Sequence, residues 1–165
     1  MARPYLGCRG PLAHPYPAPM ARVQASVIIE ATPSEVWASV EHVDSHVDWM
    51  HDAIAIRFTS AQHSGVGTTF DCDTKIGPIK LVDRMEITAW EPEHTMGVRH
   101  VGIVTGTGAF TLRDLGRDRT EFLWDETLSF PWWMGGPLGG RVGAVVLAQI
   151  WKRNLRALKK QIETR

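Results

Sequence analysis

A chain of 165 residues with 44% hydrophobic and 22% charged residues falls in the range of one globular domain, large enough to bury a core without a structural metal or disulfide. Its 18 basic and 18 acidic side chains cancel, which excludes an overall field that would draw in nucleic acid and leaves any electrostatic function local. The two cysteines, Cys8 and Cys72, fall in a tail-like and a strand-like segment, which argues against a disulfide scaffold and for a reducing, cytoplasmic setting.

In chain order, the first twenty residues, MARPYLGCRGPLAHPYPAPM, hold five prolines with interspersed glycines and no apolar run long enough for the core of a signal peptide. Residues 1–20 are expected to form a disordered tail and 21–165 the folded domain. Met20 opens a second "MAR" directly before the first periodic segment and is the alternative start; N-terminal mass measurement on natively expressed protein distinguishes the two.

RVQASVIIE, from Arg22 to Glu30, is β-branched and apolar and predicts a first strand. The pattern then switches in ATPSEVWASVEH. Thr32 suits an N-cap, Pro33 the first turn and Glu35 the carboxylate position of a capping box, so a short helix is expected with Val36, Trp37 and Val40 on its apolar side. A second short helix or turn follows through VDSHVDWMHD. From Ile54 onward the period becomes two. IAIRFTS, GTTFDCDTK, IKLVDRMEITAW, HTMGVRHV, VTGTGAFTLRD and RTEFLWDETLSF read as six successive strands, with turns at Gly65, Gly77-Pro78, Glu91-Pro92, Gly102 and Gly116. A proline-free segment from about Leu138 to Glu163 carries Ala144, Leu147, Ala148, Trp151, Leu155, Leu158 and Ile162 at helical spacing and predicts a long terminal helix facing the sheet.

The order strand, two short helices, six strands and long helix predicts an α+β protein in which a curved antiparallel seven-stranded sheet wraps around the C-terminal helix. On these elements, and on ATPSEVWASV, Trp49, EITAWEP and GTGAFTL, the chain from about Val23 to Ile162 resembles the START/Bet v 1 (SRPBCC) helix-grip superfamily, within it the bacterial polyketide cyclase/dehydrase and lipid-transport group. The resemblance implies a cavity between sheet and helix for a hydrophobic small molecule, used for carrying, for sensing or for folding a polyketide chain. None of these segments is a catalytic signature, and a fold does not choose among the uses.

Alternation assigns the cavity walls, with the more apolar face of each strand turned inward. That face carries Phe70, Cys72 and Thr74; then Ile79, Leu81, Asp83, Met85 and Ile87; then Met96, Val98 and His100; then Val104, Gly106, Gly108, Phe110 and Leu112; and last Phe122, Trp124, Glu126 and Leu128. With Trp37 from the first helix and Leu147 and Trp151 from the last, the candidate ligand-binding residues among these are Phe70, Leu81, Met85, Val98, Gly106, Gly108, Phe110 and Trp124. Gly106 and Gly108, two residues apart on one face, either leave room for a guest or mark bends of a strongly curled strand. Asp83 and Glu126 interrupt apolar faces, where a lone carboxylate is costly. They are either ligand anchors or an acid and base for enol chemistry, or else partners of Arg84, Arg99 or Arg113 or groups at a wet end of the sheet. His100 is the third candidate for proton transfer, or a hydrogen-bonded structural histidine.

FPWWMGGPLGG, Phe130 to Gly140, connects the last strand to the helix. Trp132, Trp133 and Met134 on their glycine hinges are expected to cover the cavity mouth as a lid or to plug it. Membrane contact is the competing role and is disfavoured because no polybasic cluster adjoins them. An exposed aromatic loop would also serve a protein partner. No cofactor or metal is expected. His42 and His46 have metal-ligand spacing, but the resemblance places a turn between them; GGPLGGRV lacks the lysine and hydroxyl of a phosphate loop, and GTGAF lies in a strand pattern and opens no helix. The leading expectation is thus a binding protein for a lipid-like or polyketide-like ligand. A polyketide aromatase/cyclase or dehydrase is the alternative.

Overall fold

A computed structural model describes residues 20–131 and 136–165, with side chains in the last helix from residue 143 onward. Strand β1 (Met20–Ile29) is followed by α1 (Pro33–Val40) and a 3-10 helix (Val43–Asp48). Then come β2 (Ala53–Phe58), β3 (Thr69–Ile76), β4 (Ile79–Glu91), β5 (Thr95–Val101), β6 (Thr105–Asp114), β7 (Thr120–Ser129) and the long α2 (Gly136–Glu163). The described strands form one antiparallel sheet in the order β1-β7-β6-β5-β4-β3-β2, a meander closed on one side by the first strand pairing with the last.

Local chemistry sets the boundaries. Thr32 accepts from the Glu35 backbone N–H while the Glu35 carboxylate accepts from the Thr32 backbone N–H, so both halves of the expected capping box are made. Gly65, Gly77 and Gly116 turn the chain at positive φ, where a side chain would be strained. Burial alternates strictly along β7, with Thr120, Phe122, Trp124, Glu126 and Leu128 inside. Trp49, Phe122, Ile87, Met96, Leu155 and Leu158 are almost fully enclosed and form the centre of the core.

The last helix lies against β1 and β7. Trp151 stacks on Trp124 with ring centroids 4.7 Å apart, Lys159 Nζ donates to the Ile28 carbonyl, and the Glu30 N–H donates to Glu163. Asn154, fully buried, fixes the other side: its Oδ1 accepts from the His51 N–H at 3.0 Å and its Nδ2 donates to Asp52 at 2.6 Å. The helix is held to the closed edge of the sheet and to the loop before β2, and it spans the concave face between them.

Candidate functional site

Between the concave face and α2 lies a cavity of about 130 Å³. Phe70, Leu81, Met85, Val98, Phe110 and Trp124 line it from the strands and Leu147 and Trp151 from α2, and so do Asp83, His100 and Glu126. The 3-10 helix, the turn after it and strand β2 add His46, Met50, Asp52 and Ile56, which the sequence pattern did not point to. A register shift between Ala53 and Ala55 breaks the two-residue period of β2, so Ala53 and Ile56 reach the same cavity despite opposite parity.

Three of the expected site residues stand elsewhere. Trp37 is buried against Trp90, edge to face at 5.2 Å, and its indole N–H donates to Glu41, the residue that caps its own helix; it does not line the cavity. Gly106 and Gly108 do not line it either, and the space they vacate is already occupied. A Cβ on Gly106, whose φ is +148°, would collide with the Thr127 carbonyl oxygen; one on Gly108 would lie 2.5 Å from Glu126 Cγ. The glycines serve close packing within the sheet rather than a guest. Trp132, Trp133 and Met134 lie outside the described residues.

The polar centre is assembled from three strands. His100 on β5 points inward and Arg99 outward. His100 Nδ1 donates to Asp83 Oδ2 on β4 at 2.7 Å, and its Nε2 stands 3.8 Å from Glu126 Oε1 on β7, an ion-pair distance too long for a hydrogen bond. Strand β6 runs between β5 and β7, and Gly108, directly opposite Glu126, is the position over which the glutamate side chain lies on its way to the histidine. Trp124 Nε1 donates to Glu126 Oε1 at 2.8 Å and fixes its orientation. The arginines considered as partners for these carboxylates pair instead with Asp71, Glu86 and Glu121: Arg84, Arg99 and Arg113 alternate away from the cavity.

Burial is the largest single influence on the His100 imidazole and pulls its pKa down, but the hydrogen bond to Asp83 and the attraction of Glu126 and Asp83 together raise it to about 10. His100 is therefore an imidazolium at neutral pH, with both ring nitrogens donors. Its buried Nε2 and the buried Asp83 Oδ1 have no hydrogen-bond partner among the described residues. His46 is the opposite case. Burial holds it down to about 4, and its neutral ring donates from Nε2 to the Val40 carbonyl at 2.7 Å. His42, its partner in the metal-ligand spacing, is mostly exposed beside Glu41. Burial raises the Cys72 thiol to about 11, which suits packing rather than nucleophilic chemistry. No described helix is long and apolar enough to cross a membrane.

A curled sheet with a long helix across its concave face matches known proteins. The model of the family described as polyketide cyclase / dehydrase and lipid transport matches residues 20–163. The chain belongs to this family. Among solved structures, the family fold recurs in the Zhui aromatase/cyclase from a Streptomyces species, at TM-score 0.74 and 15% identity over 88% of this chain and 95% of that one. It recurs in a START superfamily protein from Mycobacterium smegmatis, at TM-score 0.71 and 13% identity over 87% of this chain and 97% of that one. At these identities the likeness is one of fold. No curated protein is detectably similar in sequence.

Proposed function

We propose that the protein binds a hydrophobic small molecule, lipid-like or polyketide-like, in the cavity between sheet and α2. The observation that carries this is a mostly apolar hollow with one concentrated polar point, His100 between Asp83 and Glu126, where a buried donor has no acceptor among the described residues. Such a site buries the guest's apolar body and orients it by one polar contact. Native mass spectrometry of protein purified from its own host tests this: a co-purified apolar compound is expected. A ligand-free protein whose tryptophan fluorescence no apolar probe alters would refute it.

A second reading is an aromatase/cyclase or dehydrase in which Asp83, Glu126 or His100 moves protons on a polyketone. The likeness in fold to an aromatase/cyclase favours it. An imidazole at about 10, however, holds its proton too tightly to exchange it readily near neutral pH, which favours holding a ligand over reacting with it. Turnover of a polyketone surrogate that disappears in Asp83→Asn and Glu126→Gln would reverse that preference.

A further inference from the structure

The charge of the guest can be narrowed, granting the binding reading above. Three carboxyl side chains, Asp52, Asp83 and Glu126, line the cavity against one imidazolium, His100, and among the described residues no lysine or arginine lines it. The nearby guanidinium groups of Arg84, Arg99 and Arg113 are engaged on the other face of the sheet. His46 adds no positive charge, since burial keeps it neutral. An acidic headgroup would lose its hydration and meet more negative than positive groups, in surroundings where charges are poorly screened.

A hydroxyl meets the reverse situation. His100 Nε2–H is a buried donor without an acceptor among the described residues, and Glu126 Oε1, 3.8 Å away, takes one hydrogen bond from Trp124 and has capacity for another. An oxygen about 2.8 Å from both atoms accepts from the imidazolium and donates its own proton to the carboxylate, which satisfies both at once. Asp83 and Trp124 fix the two protein groups from behind. We propose that the cavity selects an uncharged apolar molecule through a hydroxyl seated between His100 and Glu126, and excludes the matching carboxylate.

Calorimetric titration of the full chain at pH 7.5 with 2-naphthol, 2-methylnaphthalene and 2-naphthoate tests this on one ring system. The naphthol is expected to bind about tenfold tighter than the methyl compound, the size of one hydrogen bond to charged groups, and the naphthoate more weakly than either. In Glu126→Gln, checked for a native circular dichroism spectrum, the gap between naphthol and naphthoate is expected to narrow. Should that variant misfold, the ranking in the unaltered protein decides alone. Equal or tighter binding of the naphthoate overturns the charge selection, and equal binding of naphthol and methylnaphthalene overturns the hydroxyl seat, both with ligand binding intact. If none of the three binds, the binding reading itself falls and the inference with it.

Discussion

His100 is the residue at which the fold concentrates its electrostatics. Its pKa is raised by Asp83 and Glu126 from 6.5 to about 10 against the downward pull of burial, so the folded state binds a proton that the unfolded chain releases near 6.5. The sign follows. This contribution to stability is complete below about pH 6.5, declines between there and about pH 10, and is absent above. Urea denaturation at intervals from pH 6 to 10 is expected to show stability falling with pH in the unaltered protein and a flatter profile in His100→Gln, the difference between the two isolating the histidine. Identical slopes would mean that the imidazole is neutral in the folded protein and that the ion pairs with Asp83 and Glu126 are not formed.

Strand β6 shows how an element between two others can decide whether they meet. Glu126 and His100 belong to β7 and β5, and a side chain at Gly108 would occupy the path between them. Gly108→Ala is expected to cost about 1–3 kcal/mol by urea denaturation, the range for overpacking. Gly106→Ala should cost more, because its added methyl meets the backbone of Thr127 and its φ of +148° disfavours any side chain. The two separate further in a double-mutant cycle. Adding Glu126→Ala removes the obstacle at Gly108 but not the one at Gly106, so coupling to Glu126 of about 0.5–3 kcal/mol is expected for the first alone. The glycine spacing was visible in GTGAFTL, yet its cause was not: nothing in a one-strand pattern says that the glutamate of the next strand fills the gap. In the same way, Arg84, Arg99 and Arg113 stood as cross-strand partners for Asp83 and Glu126, but alternation turns them to the opposite face, where Asp71, Glu86 and Glu121 await them.

For the molecule as a whole, period and caps were enough to place the seven strands and both α-helices, since each follows from an apolar or alternating strand pattern, a capping box or a helically spaced apolar stripe. The cavity's far wall was not legible. His46, Met50 and Asp52 come from a 3-10 helix and the turn after it, before a bulged strand, where no alternation exists to read, and nothing in the helical stripe of α2 singles out Asn154. That asparagine helps to hold the hollow open. Trp151 fixes α2 to β7 and Asn154 fixes it to the loop before β2, so the helix is supported on both sides of a space it does not fill. Two kinds of failure are then expected from two truncations one turn apart. Trp151→Ala removes a buried indole from the cavity wall and should cost about 3–5 kcal/mol, of which an apolar aromatic compound in excess recovers a part by occupying the enlarged space. Asn154→Ala strands the His51 N–H and the Asp52 carboxyl and should cost about 1–3 kcal/mol that no apolar compound restores, because the loss is of hydrogen bonds. Thermal denaturation of both variants with and without saturating naphthalene reads the difference. Equal rescue of the two would show that Asn154 acts by filling volume and not by tying the helix to the loop.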